Sequence, residues 1–121
     1  MKKSVKKEIE KLIEELKLNC TTKEFKDKAD WDKISKYQTL SEDFVREFKN
    51  KVNWFVISCS QKLSEGFIRE FKDYVHWPYV SYSQKLSEEF IREFKDKVDW
   101  KEIFQYQKLS KEFIEEFKEK K

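Results

Sequence analysis

The stretch LSEEFIREFKDKVDWKEIFQYQK, Leu86–Lys108, decides the fold. Ser87 is a good helix N-cap, because its hydroxyl can accept from a free N–H of the first turn. Glu88 and Glu89 follow, where acids suit the positive end of a helix. Leu86 before the cap and Ile91 four residues inside have the spacing of a hydrophobic staple. Phe90, Ile91, Phe94 and Val98 share one apolar face, which predicts a first helix over 88–97. Asp99 is a second capping residue. After it, Trp100, Ile103 and Gln107 fall on one face of a second helix over 100–107. Helices this short do not persist alone, so neighbours must stabilise them.

The neighbours are further copies of the same 23-residue unit. Trp31, Trp54, Trp77 and Trp100 keep its period, as do Gln38, Gln61, Gln84 and Gln107. Leu40, Leu63, Leu86 and Leu109 repeat with it, each followed by a serine: Ser41, Ser64, Ser87 and Ser110. Phe44, Phe67, Phe90 and Phe113 repeat too. A fixed period of this length marks a solenoid or array. The expected fold is therefore all-α, a short α-solenoid of stacked helix pairs forming one domain over 1–121. Residues 4–18, with Ile9, Leu12, Ile13 and Leu16 on one face and Ser4 as cap, form an N-terminal capping helix. A degenerate unit follows at 19–39. Full units occupy 40–62, 63–85 and 86–108, and 109–121 is a partial unit.

Two internal correlations add detail. Ser35, Ser58 and Ser81 share a phase where the last full unit has Phe104, and a small residue there lets the next helix approach closely. Glu42/Arg46, Glu65/Arg69 and Glu88/Arg92 stand as i,i+4 pairs in the favourable order. In the partial unit the pair is Lys111/Glu115, with both signs exchanged.

The composition narrows the function. Charged residues make up 42%, but a regularly placed 38% hydrophobic and 17% aromatic content is enough for a narrow core. Residues 1–39 hold the whole surplus of +3, and the repeats are near neutral. That argues against a continuous phosphate-tracking surface, which needs clustered Lys and Arg. Cys20 and Cys59 occupy different phases and imply neither a disulfide framework nor a metal site, as for free thiols in a reducing cytosol. No signal-peptide or membrane-span run occurs, so the expected location is cytoplasmic, with no membrane contact. His76 is the only histidine and Gly66 the only glycine. Metal ligands at a binding spacing and a Gly-rich phosphate loop are absent, a Ser-His-Asp or Cys-His site exists on paper only, and the paired acids sit in first turns where capping explains them, so an enzyme is not expected.

Function is most legible where the copies disagree. After the tryptophan, the first copy has Asp32 and Lys33 and the last has Lys101 and Glu102, but the middle copies have Phe55 and Val56, then Pro78 and Tyr79. Cys59 and Tyr82 replace polar residues, Tyr74 replaces lysine, and His76 stands where the flanking copies have Asp30 and Asp99. An apolar, tyrosine-rich patch inside a polar frame suggests a contact surface. Phe55, Val56, Cys59, Tyr74, His76, Tyr79 and Tyr82 are the candidate partner-binding residues. Two other readings stand beside this one: burial of the same phases in the middle of the stack, and a groove for a small molecule.

The pattern W-x-x-I-S-x-x-Q-x-LSEEFI-R-EF-x-x-x-V resembles a 23-residue helical-repeat family of large DNA viruses and bacteriophages. Trp31–Gln38 and Leu86–Phe94 carry the match, which spans about residues 25–117. Gly66, Pro78 and Phe104 depart from it. The resemblance implies a scaffold with no catalytic residues. It points to a non-enzymatic effector that binds a host protein, such as an inhibitor of a host defence nuclease complex. Self-association is the variant of that reading. A nucleic-acid-binding module using Lys2, Lys3, Lys6 and Lys7, or a purely structural repeat, is the alternative.

Overall fold

The computed structural model describes residues 1–121 and is entirely helical. Its helices are α1 (Lys3–Glu15), α2 (Phe25–Lys28), α3 (Trp31–Tyr37), α4 (Glu42–Glu47) and α5 (Trp54–Ser60). These are followed by α6 (Glu65–Glu70), α7 (Trp77–Ser83), α8 (Glu88–Glu93), α9 (Trp100–Tyr106) and α10 (Lys111–Glu116), with a closing 3-10 turn at Lys118–Lys120. The chain divides into two compact bodies, Met1–Asn53 and Trp54–Lys121. No helix is long and apolar enough to cross a membrane.

In the C-terminal body, α5, α7 and α9 pack in a row as the second helices of successive repeats, with α6, α8 and α10 as the first helices. Each first helix opens on its predicted serine. Ser64, Ser87 and Ser110 accept from the backbone N–H of Phe67, Phe90 and Phe113. These helices are shorter than expected: α8 stops at Glu93 rather than residue 97. Beyond it, Lys97 and Val98 both donate back to the carbonyl of Phe94, at 2.9 and 3.0 Å, which still turns Val98 into the core. The Trp100 indole N–H takes the carbonyl of Lys95, and Trp77 does the same to Lys72, each at 3.0 Å. The indoles thus satisfy carbonyls that a longer helix would have bonded internally. Each tryptophan also packs on the next pair of phenylalanines, Trp77 on Phe90 and Phe94, Trp100 on Phe113 and Phe117.

Polar side chains join one repeat to the next. Ser58 Oγ accepts the N–H of His76, and Ser81 Oγ that of Asp99. The small-residue phase is therefore a bonding phase as well as a packing one. Phe104 lacks a hydroxyl and instead packs its ring on Trp100. Gln84 donates from Nε2 to the carbonyls of Ser58 and Gln61, and its Oε1 accepts from Leu63 N. Gln107 repeats the pattern on Ser81, Gln84 and Leu86. Glu65 grips both the N–H and the hydroxyl of Ser87, and Glu88 does so at Ser110.

This arrangement corrects the i,i+4 expectation. Arg69 bonds Glu93 of the next repeat through two 2.8 Å hydrogen bonds, and Arg92 reaches Glu116. Glu65 and Glu88 are occupied by the serine grip. The exchanged pair at the C-terminal end is not formed either, since Glu115 bonds Lys118.

In the N-terminal body, α1 runs over Lys3–Glu15, with Lys2 rather than Ser4 at its N-cap. It ends earlier than expected because Lys17 turns left-handed (φ 54°) and Leu18 N–H returns to the carbonyl of Ile13. Val5, Ile9 and Leu12 bury its inner face. Although α1 does not match the repeat, Glu8 grips the N–H and hydroxyl of Ser41 as Glu65 grips Ser87. The degenerate unit holds α2 and α3. Thr21 and Glu24 bond each other reciprocally across the turn that leads into α2, in the capping-box pattern TTKE. These bonds hold the Glu24 carboxyl below its ordinary value. Ser35 Oγ accepts from Asn53 N–H, so the serine connector operates here too.

Candidate protein-interaction surface

The interaction candidates belong to the C-terminal body, mostly on α5 and α7. These two helices, WFVISCS and WPYVSYS, contain no charged residue. Their inward positions follow from helical period: Ile57 and Ser58 on α5, and Val80 and Ser81 on α7, are fully buried. The opposite positions face solvent. Phe55 is 59% exposed, Tyr79 42% and Tyr82 47%. These rings are therefore surface, while Val56, His76 and Pro78 are half-buried among them.

The rings form two neighbouring groups. His76 stands against both Phe55, 4.7 Å between ring centres, and Tyr79, 4.4 Å. Phe55 and Tyr79 lie 6.5 Å apart, edge to face. Tyr82 meets Tyr106 of α9 at 4.8 Å with the rings perpendicular. Such edge-to-face pairs are favourable and hold their rings in place. Tyr79 and Tyr82 also line one depression with Tyr106, so the groups are continuous across α7.

The start of α7 departs from the cap that its counterpart on α9 carries. Asp99 caps α9 by accepting from Glu102 N. His76 holds the same place on α7 and makes no side-chain cap. Pro78, within the first turn of α7, has no N–H to be capped. The imidazole is spent on ring contacts instead. A lost N-cap costs about 1 kcal/mol, and rules broken locally are characteristic of functional surfaces.

Two candidates lie outside the ridge. Tyr74 packs on Trp54 and Phe71 at 5.4 and 5.5 Å, beside the first-helix aromatic core. Cys59 is an exposed free thiol whose Sγ is 3.6 Å from the Val56 carbonyl. Tyr106 is the functional candidate that sequence comparison missed. It lies in the last full unit, and its phase reads Tyr37, Ser60, Ser83, Tyr106, aromatic in the flanking copies and not in the middle ones. No group of three or more His, Cys, Asp or Glu side chains is placed to hold a metal ion. Comparison of the chain with protein-family models, curated proteins and solved structures finds no match.

Proposed function

We propose that the chain is a non-enzymatic helical-repeat scaffold that docks a protein partner on the ridge of Phe55, His76, Tyr79, Tyr82 and Tyr106. The observation that carries this reading is that Phe55, Tyr79 and Tyr82 are exposed on two charge-free helices, with Tyr106 of α9 against Tyr82, in a chain that is 42% charged. Protein interfaces concentrate aromatic residues and exclude charge at their centres. Tyrosine gives a large contact at small entropic cost, and its hydroxyl keeps a polar function at the rim. The absent side-chain cap at His76 supports the same reading, because its imidazole instead meets Phe55 and Tyr79.

The partner class follows from the family resemblance: a protein of the infected host, with a defence nuclease complex as the first one to test. Immobilised wild-type chain and a Phe55→Ala/Tyr79→Ala variant are exposed to lysate of that host, and retained proteins are identified by mass spectrometry. The reading expects a protein retained by the wild type and lost by the variant. Equal retention by both contradicts it, as does retention of nucleic acid alone in a salt-sensitive manner. Sedimentation of the purified chain tests self-association by the same ridge, which would show as a dimer abolished by the variant.

A further inference from the structure

One part of the ridge has a chemistry of its own. Pro78, Tyr79 and Tyr82 of α7, with Glu102 and Tyr106 of α9, line an open depression of about 310 Å³. Glu102 is its only charged residue, and α7 contributes none. Glu102 is half-buried as a residue and its backbone N–H is held by Asp99, but its carboxylate makes no hydrogen bond or ion pair. The rings of Tyr82 and Tyr106 stand perpendicular beside it. No cation of the chain lies over Tyr79, Tyr82 or Tyr106.

The same body shows what such a pair of partners holds. Arg69 lies 5.6 Å from the Phe90 ring centre while bonding Glu93. Arg92 lies 5.2 Å from the Phe113 ring centre while bonding Glu116. In each, a guanidinium sits between an aromatic face and a carboxylate one helical turn away. Glu102 and Tyr106 also lie one turn apart on α9, with the carboxylate four residues before the ring rather than three after it, and no arginine of the chain reaches them.

We propose that this depression seats an arginine side chain of the protein partner, its guanidinium against the tyrosine rings and its N–H groups on Glu102. The planar guanidinium suits the site better than ammonium, because it stacks on rings and bonds a carboxylate through two N–H groups at once. The assignment rests on the ridge being the docking face, and it names the chemistry of one anchor.

The test is an NMR titration of the whole chain, following the tyrosine ring resonances, with acetyl-Gly-Arg-Gly-amide. Two control peptides replace arginine by citrulline, which keeps its shape without charge, and by lysine. Saturable shifts at Tyr79, Tyr82 and Tyr106 are expected, with citrulline binding about ten-fold more weakly and lysine in between. Glu102→Gln should weaken the arginine peptide about ten-fold, whereas Tyr106→Phe, which keeps the ring, should leave it within about two-fold. No saturable shift, equal binding of citrulline, or an unchanged Glu102→Gln variant overturns the proposal. If the peptide fails while Phe55→Ala/Tyr79→Ala still abolishes partner capture, the arginine anchor falls and the docking face stands.

Discussion

Ser58 Oγ accepts the backbone N–H of His76 at 2.9 Å while donating to its own helix at the Trp54 carbonyl, 2.6 Å away. One hydroxyl thus ties the second helix of one repeat to the start of the next. Ser58→Ala removes the tie and leaves the His76 N–H without its acceptor. The expected cost is about 1–3 kcal/mol. Urea unfolding should show a lower midpoint with an unchanged slope. An unchanged midpoint would mean that water replaces the bond freely.

Gln84, like Gln107, makes three connecting bonds, closing on Ser58, Gln61 and Leu63. Gln84→Leu keeps the approximate volume and removes all three. It should cost about 3 kcal/mol, more than Ser58→Ala, because several buried backbone groups lose a partner together. The same unfolding series ranks the two variants, and the reverse order would refute this weighting of the connectors.

Gly66 lies in the first turn of α6, where the other copies have Asp43, Glu89 and Glu112. A Cβ there meets nothing within 4 Å, and its φ is not positive. Gly66→Ala should therefore stabilise the protein by about 0.5–1 kcal/mol, mainly by restricting the unfolded chain. A destabilised variant in thermal melts would contradict the open geometry at this site.

Glu93 accepts two hydrogen bonds from the Arg69 guanidinium, which hold its carboxyl below the ordinary value. A carboxyl whose folded pKa lies below its unfolded one stabilises the fold at neutral pH. That contribution disappears as pH falls through the carboxylate range. Thermal melts of wild type and Glu93→Gln should differ at neutral pH and converge in acid, and added salt should shrink the neutral difference because the pair is exposed. A gap that persists in acid would show that the variant acts by some route other than charge.

Much of this architecture was legible in the sequence because it is written within one repeat. The serine caps at Ser41, Ser64, Ser87 and Ser110, and the aspartate caps at Asp30 and Asp99, sit where their local pattern places them. The all-α class follows from the same periodicity. The connectors were not legible, although their residues were noticed. Arg69 has Glu65 at helical spacing, yet bonds Glu93, because the partner is chosen by how repeats stack and not by distance along the chain. Glu8 was hidden for the same reason: no period leads to it, and only packing brings α1 beside Ser41. At the surface, comparing copies singled out Phe55, Tyr79 and Tyr82, since a departure from the repeat leaves a mark. It could not reveal that Tyr74 turns toward Trp54, or that Tyr106 completes the depression on α7, because both depend on side-chain direction.

The central claim is that the ridge rings serve binding and not folding. The most direct measurement compares Phe55→Ala/Tyr79→Ala with wild type in two readouts, the urea midpoint and affinity for the captured host protein. Both side chains are exposed, so the account predicts a midpoint within about 1 kcal/mol of wild type and at least a ten-fold loss of affinity, the size expected when interface anchors are removed. A collapsed fold with the remaining folded fraction still binding normally would contradict it.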